Sequence, residues 1–121
     1  MWNAAVDKHF TFGTANDLPC TGDWTGDRTA KIGFLGDAYW SLDLDSDRSF
    51  SASADIRANF GLPNDIPVPG PWGVTRRTQV GVFRDGGWGL DVSGEYFWNS
   101  PPHRSITFGG AGDTPVVFLR P

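Results

Sequence analysis

The sequence predicts an all-β fold made of repeated four-stranded antiparallel sheets. Three observations support this prediction: the composition, an internal repeat of 48 residues, and the alternation of apolar and polar residues within each repeat. The 121 residues include sixteen glycines, nine prolines and nine phenylalanines but one methionine. Glycine and proline interrupt helices and enter turns, whereas aromatic side chains fit pleated surfaces. At this length we expect one cooperative domain.

The internal repeat appears without gaps when the sequence is shifted against itself by 48 residues. Three features occur in three copies: Phe12-Gly13, Phe60-Gly61 and Phe108-Gly109; Asp17, Asp65 and Asp113; Pro19, Pro67 and Pro115. Two copies share further residues: Gly22 and Gly70, Trp24 and Trp72, Trp40 and Trp88. The period divides a single repeat domain, 1–121, into a partial repeat at 1–22, a repeat at 23–70 and a repeat with a truncated end at 71–121.

Each repeat is predicted to contain four short strands, because apolar and polar residues alternate between turn residues. In the first whole copy the predicted strands are 18–24, 31–35, 39–44 and 51–60. In the next copy they are 66–72, 79–84, 88–92 and 105–108. Two further strands, equivalent to the fourth and the first of a repeat, are predicted at 9–12 and 114–119. Four-stranded units of about 40 to 50 residues are typical of the blades of a β-propeller.

The repeat resembles the bacterial FG-GAP/VCBS-type propeller repeats, which are related to those of the integrin head. The resemblance is carried by FGTANDLPCTGDWTGDRTAKIGFL with YWSLD, by FGLPNDIPVPGPWGVTRRTQVGVFRDGGWGLD and by FGGAGDTPVVFLRP. It covers nearly the whole chain and implies propeller blades and a secreted or cell-surface protein. Propellers of this type serve adhesion, carbohydrate binding and scaffolding alike, so the resemblance implies a fold more sharply than a function.

The resemblance also implies a calcium loop between the first and second strands of a repeat, in which aspartates bind the ion through oxygen. The first copy retains Asp23 and Asp27, which are the candidate metal ligands. The second copy has Pro71 and Thr75 at these positions and has lost both carboxylates. Two carboxylates are few for the roughly six to eight oxygens that calcium takes. We therefore expect no cofactor, with calcium at the first loop as the alternative.

A second acidic run comprises Asp43, Asp45 and Asp47. It fails the EF-hand pattern, because Arg48 replaces the required glycine and Ala54 replaces the final acidic residue. We interpret the run as a polar strand edge that resists aggregation.

Charge, hydropathy and cysteine content exclude several kinds of partner. Ten basic and fourteen acidic residues give a net charge of −4 without a basic cluster, so we expect no nucleic-acid partner. No window approaches the roughly 18 apolar residues of a membrane span, so we expect no membrane partner. The single cysteine, Cys20, occupies the position of Val68 and Val116 and is predicted to be a core residue.

The number of blades predicts self-association. A propeller closes with about four to eight blades, whereas this chain supplies two whole ones and parts of others. Exposed sheet edges and apolar faces favour pairing with other chains. We expect a homo-oligomer of about two to four copies, a trimer first, whose ring closes by sharing strands. The alternative is an excised piece of a longer propeller.

The tryptophans are the candidate binding residues, because indole faces stack on sugar rings and a glycan is the partner we expect. Four of them repeat in phase and are predicted to pack between blades: Trp24, Trp40, Trp72 and Trp88. The candidate ligand-binding residues lie in turn-rich sequence, two periods apart: Trp2, Asn3, Trp98 and Asn99.

The sequence offers no catalytic motif, since His9 and His103 differ in phase and Cys20 has no histidine near it in sequence. We therefore predict that the protein is not an enzyme. The first hypothesis is a lectin-like binding module whose pockets gain affinity by multivalency in a ring. The second is a structural propeller scaffold or fragment, with decayed calcium loops and no ligand of its own.

Overall fold

The computed structural model describes residues 1–98 and 104–118, and none of these lies in a helix. Eight strands occur in chain order: β1 Leu18–Gly22, β2 Lys31–Gly36, β3 Tyr39–Leu42, β4 Ile56–Asn59, β5 Ile66–Pro67, β6 Gly81–Arg84, β7 Gly87–Leu90 and β8 Arg104–Thr107. They form two four-stranded antiparallel sheets, each with its strands in sequence order. The prediction of an all-β fold with four-stranded antiparallel sheets is confirmed.

The two sheets pair their strands in the same register, 48 residues apart. Leu18 lies opposite Leu35 in the first sheet, and Ile66 lies opposite Phe83 in the second. The predicted division at 22/23 falls directly after β1, the first strand of the first sheet. The division at 70/71 falls after Gly70, whose bridge to Gln79 extends the pairing of β5. Each sheet therefore takes its first strand from the end of one predicted segment and its other strands from the next.

A turn closed by an aspartate precedes the first strand of each copy. The carboxylates of Asp17, Asp65 and Asp113 accept a hydrogen bond from the backbone N–H three residues earlier, at 2.7, 2.7 and 2.8 Å. The backbone before each turn takes a left-handed φ of 93° to 105°, which favours glycine, at Gly13, Gly61 and Gly109. The three-copy pattern in the sequence is thus a recurring turn, in which the aspartate accepts the backbone N–H and the glycine adopts the left-handed φ.

The core contains residues from both sheets. Its buried members are Trp24, Leu35, Trp40, Leu42, Phe60, Val80 and Val82. β5 lies beside β1 and β2, and Phe60, which follows β4, is 2% exposed. Burying one such side chain stabilises the fold by about 1.5–3 kcal/mol. The two sheets consequently depend on each other for stability.

Of the four tryptophans predicted to pack between blades, two are buried in the core that the two sheets share. Trp24 and Trp40 are buried in the shared core, whereas Trp72 and Trp88 of the second sheet are half-buried. The second sheet has only one neighbouring sheet among the described residues, so the equivalent side chains are covered less completely.

Two predicted strands are not formed. Residues 9–12 and 114–118 are in no strand, and Leu119 of the second prediction lies outside the described residues. A strand needs a neighbouring strand to which it can hydrogen-bond. In the described part of the chain, residues 9–12 have no third strand of a repeat beside them, and residues 114–118 have no second strand beside them. The strand predicted at 66–72 is also shorter, because β5 covers only Ile66–Pro67 and its pairing then continues through hydrogen bonds of Val68 and Gly70 as far as an isolated bridge.

Candidate functional site

A cleft with a volume of about 430 Å³ opens on the second sheet, beside the loop that joins the two sheets. Other cavities in the described part of the chain have similar volumes, so volume alone does not single it out. The residues that line this cleft distinguish it from the others, because they combine aromatic rings with an ion pair. The residues that carry these features are Phe60, Asp65, Arg84, Trp88, Trp98 and Ser105.

The cleft exists because the second sheet has small residues where the first sheet has larger ones. The small residues are Val82, Gly87, Gly89 and Ser105. The equivalent residues of the first sheet, 48 positions earlier, are Phe34, Tyr39, Ser41 and Arg57. There the Phe34 ring contacts the Phe12 ring at 5.4 Å between centroids, and the Arg57 guanidinium lies 5.0 Å from the centroid of Tyr39. The side chains of the first repeat therefore fill the space that stays open in the second repeat.

Aromatic rings form one wall of the cleft. Trp98 is 48% exposed, and its ring lies 6.1 Å from that of Phe60, with the planes tilted by 50°. Trp88 lies against Phe83 edge-on, 5.2 Å between centroids, and its Nε1–H donates to the carbonyl of Phe108 at 3.0 Å. The wall thus presents apolar faces whose positions are fixed by packing.

A buried carboxylate and a partly exposed guanidinium form the polar part of the cleft. The side chain of Asp65 is fully buried, and its Oδ2 accepts the N–H of Leu62 at 2.7 Å. Its Oδ1 lies 3.0 Å from Nε of Arg84, an ion pair whose orientation does not make a hydrogen bond. Among the described residues no group hydrogen-bonds to this Oδ1. Oδ1 is buried, so the group that a ligand in the cleft reaches is the Arg84 guanidinium, which donates through its remaining N–H groups.

Of the four residues predicted to bind a ligand, Trp98 lines this cleft and Trp2 does not. The Trp2 ring instead lies edge-on to His9, 6.3 Å between centroids. Asn3 forms a local turn, in which its Oδ1 accepts the N–H of Ala5 at 3.1 Å. Asn99 lies outside the described residues.

The loop that was the alternative calcium site holds a positive charge. Nζ of Lys31 lies 2.6 Å from Asp27 Oδ1, 3.0 Å from Thr25 Oγ1 and 3.1 Å from the carbonyl of Thr29. Asp23 Oδ1 is 3.8 Å away, and the Lys31 side chain is 2% exposed. The ammonium hydrogen bond and the Thr29 N–H hold the pKa of Asp27 down at about 2. The oxygens of this loop thus bind an ammonium where the family pattern implies a metal ion.

Asp23 shapes this loop from its other side. Its carboxylate accepts three backbone N–H groups, from Gly26, Asp27 and Arg28, at 2.8 to 3.0 Å. The backbone of Asp23 also pairs with Thr78, which ties the loop to the second repeat. The spacing from Asp27 to Lys31 is visible in the sequence, but it does not distinguish a lysine bound in this loop from a solvated one.

The equivalent loop of the second repeat is closed without charge. Gln79, 48 residues after Lys31, is buried and its amide contacts the hydroxyl of Thr75 and the N–H of Gly73. In each loop, a side chain at the second strand therefore donates to the loop oxygens: Lys31 in the first loop and Gln79 in the second.

The acidic run lies in a loop and not on a strand edge, which corrects the sequence interpretation. Carboxylate oxygens of Asp43, Asp45, Asp47 and Asp55 lie within 4.8 Å of one another. Asp43 is buried and accepts two backbone N–H groups, at 3.0 and 3.1 Å, and burial raises its pKa. Asp91 makes the same pair of hydrogen bonds in the second repeat. The shared role of the two buried aspartates is to shape the loop.

No arrangement for nucleophilic catalysis is found among the described residues that the sequence singled out. Burial raises the pKa of Cys20 to about 12, so the thiol is protonated at neutral pH and is a poor nucleophile. His9 contacts Trp2, and His103 lies outside the described residues.

Comparison with protein-family models, curated proteins and solved structures gives no match for this chain. Within residues 1–98 and 104–118, no helix has the length and apolar character needed to cross a membrane.

Proposed function

We propose that this protein is a non-catalytic carbohydrate-binding module and that the cleft on the second sheet is its binding site. The observation that carries the proposal is the combination of Trp98 and Trp88 with the Asp65–Arg84 pair in one open cleft. The first sheet, built on the same repeat, has this space filled by Tyr39 and its neighbours.

The chemistry of the cleft suits a sugar better than an apolar ligand. A pyranose ring has apolar C–H faces that pack on indole and hydroxyl groups that exchange hydrogen bonds at its edge. Trp98 offers the aromatic surface, and the buried Asp65 carboxylate pairs with the Arg84 guanidinium at the polar side of the cleft. Arg84, about half exposed, supplies N–H donors for the sugar hydroxyls. A few polar groups in a largely apolar cleft are what fixes the orientation of a small ligand.

The two four-stranded sheets are proposed to be blades of a β-propeller whose ring closes by association of identical chains. In that ring each copy contributes one cleft, so a trimer presents three. Sites held at fixed spacing raise the affinity for a branched or repeated glycan far above that of one site. Weak binding of a single sugar is compatible with tight binding of a polymer.

The experiment is a glycan array, followed by calorimetry with the methyl glycoside of the best-bound sugar. Trp98→Ala is expected to lower the affinity about tenfold or more, because it removes the aromatic wall. Gly87→Tyr is expected to abolish binding by filling the cleft. A tyrosine fits at the equivalent hairpin position, where Tyr39 pairs with Gly36.

The matched control is Trp2→Ala, which removes an exposed indole outside the cleft and is expected to leave binding unchanged. Loss of binding in Trp2→Ala but not in Trp98→Ala would refute the assignment of the site. Circular dichroism of each variant checks that the fold is retained.

A second candidate function is a structural scaffold without a ligand. It is favoured by the two loops, since Lys31 and Gln79 complete them internally and neither loop needs a bound ion. A folded protein that binds no glycan on the array would favour the scaffold over the binding module.

A further inference from the structure

We infer that a second copy of this chain docks Phe108 on the face formed by β1 and β2, in the place that Phe12 takes within one chain. The inference rests on the assembly proposed above but not on the proposed ligand. It follows from comparing three equivalent phenylalanines, Phe12, Phe60 and Phe108, which have the same sequence position and different surroundings.

Phe60 shows the complete arrangement. It follows the fourth strand of the first sheet, β4, and it shares the buried core with Val80 and Val82 of the second repeat. The Nε1–H of Trp40 donates to its carbonyl at 3.0 Å. Phe60 is 2% exposed, so the face after β4 and the face of the following repeat fit each other closely.

Phe12 has only half of this arrangement. Its ring packs on Phe34 of β2, at 5.4 Å between centroids, as Phe60 meets the equivalent region of the second repeat. The residues before it, 8–11, belong to no strand, although their equivalents 56–59 form β4. The segment that carries Phe12 is therefore held on β1 and β2 without the sheet that normally presents it.

Phe108 has the other half. It follows a formed fourth strand, β8, and its carbonyl accepts the indole N–H of Trp88 at 3.0 Å, as Phe60 does from Trp40. Its ring is nevertheless 77% exposed, because no second strand of a following repeat covers it among the described residues. Val116, which lines a cavity together with Phe108, is also exposed. An apolar ring held out on an ordered sheet is unfavourable in a lone chain.

The acceptor for Phe108 is the face that Phe12 covers. Beside Phe12 this face has an open cavity of about 400 Å³, lined by Phe10, Phe12, Pro19, Cys20, Ile32 and Gly33. When Phe108 of one copy displaces Phe12 of another, the incoming phenylalanine brings its own sheet with it. The contact then repeats the one that the chain already makes internally at Phe60, so complementarity is built into the repeat.

The exchange leads to a ring. Each copy contributes two complete sheets, residues 18–59 and 66–107, and each docks in the same head-to-tail manner. Propellers close with about four to eight blades, so about two to four copies complete a ring. Three copies give six blades.

The experiment measures the mass of the full 121-residue chain by analytical ultracentrifugation over a wide concentration range. We expect a discrete oligomer. Phe108→Ser removes the docking side chain and is expected to weaken association about tenfold or more, the effect of one buried phenylalanine. Phe12→Ser removes the competing side chain of the acceptor face and is expected to strengthen association. Because the two variants are expected to change the association constant in opposite directions, they distinguish this contact from nonspecific association through exposed apolar residues.

A wild-type chain that is monomeric at all concentrations would overturn the inference. So would a Phe108→Ser variant that associates like the wild type, or two variants that change association in the same direction. Circular dichroism confirms that each variant is folded. The cleft lies within one chain, so a monomeric Phe108→Ser variant keeps its glycan affinity per site. Failure of docking and failure of ligand binding are thereby separated.

Discussion

The Lys31 ammonium completes a loop of oxygen ligands, and Lys31→Asp is the change that tests this role. The substitution removes the positive charge and places a third carboxylate beside Asp23 and Asp27. The loop would then offer these three carboxylates, the hydroxyl of Thr25 and the carbonyl of Thr29 to a cation. Calcium prefers such a set of oxygens, with water completing the coordination. We expect the variant to need calcium, whereas the wild type does not.

The size of the effect follows from burial at position 31. The Lys31 side chain is 2% exposed, and an uncompensated charge at a buried position costs on the order of 3 kcal/mol. Calcium at 100 times its dissociation constant returns about 2.7 kcal/mol. For a chain of this size the recovery corresponds to an increase in Tm of about 10 °C.

The assay is thermal unfolding followed by circular dichroism, with and without calcium, and with EDTA as the reversal. The matched control is Gln79→Asp in the second loop. That position is equally buried, but its side chain contacts Gly73 and Thr75, and the loop from 71 to 77 has no carboxylate. The control variant is expected to lose stability and to gain nothing from calcium.

Two results would refute this reasoning. One is a Lys31→Asp variant as stable as the wild type in EDTA, which would mean that the ammonium contacts contribute little. The other is a calcium-dependent increase in Tm of the same size in the wild type, which would mean that the loop binds the ion despite Lys31.

Two further predictions concern the repeat and the cysteine. Trp40→Phe is expected to lower the free energy of unfolding by about 2–3 kcal/mol, since it removes a fully buried indole and its hydrogen bond. Trp88→Phe is expected to lower it by about 1 kcal/mol, because the equivalent indole is half-buried. Urea denaturation of both variants measures the difference, and equal losses of stability would contradict the prediction. Burial raises the pKa of Cys20 from 9.0 to about 12. Between these values the thiol ionises in the unfolded chain but not in the folded one, which favours unfolding. The stabilisation from keeping the thiol protonated is therefore complete below pH 9 and declines as the pH rises towards 12, by at most about 1.4 kcal/mol per pH unit. Cys20→Val, which introduces the residue found at Val68, is expected to lessen that decline in urea midpoints measured from pH 8 to 11.

The repeat made much of the fold predictable from the sequence. Identical spacing of Asp17, Asp65 and Asp113 reflects a turn that needs a carboxylate at one position and a left-handed glycine before it. Strand lengths were overestimated, because alternation continues past the last residue that has a hydrogen-bonding partner. The predicted strand 51–60 shows this, because only Ile56–Asn59 pair with β3.

The candidate site was predicted less well, because it depends on side chains that are distant in sequence. Trp98 was identified as a ligand candidate from its turn-rich surroundings, and it lines the cleft. The cleft itself depends on the small residues Gly87 and Gly89, and comparing them with Tyr39 and Ser41 in the aligned repeats would have indicated it. The contacts of Lys31 required coordinates, since a lysine among loop residues is usually solvated.

The most direct test of the proposed function is a ¹H–¹⁵N spectrum of the six tryptophan indole groups during titration with the best-bound glycan. The account predicts saturable shifts of the Trp88 and Trp98 signals, while those of the buried Trp24 and Trp40 stay in place. A folded protein whose Trp88 and Trp98 signals do not move at any glycan concentration would contradict it.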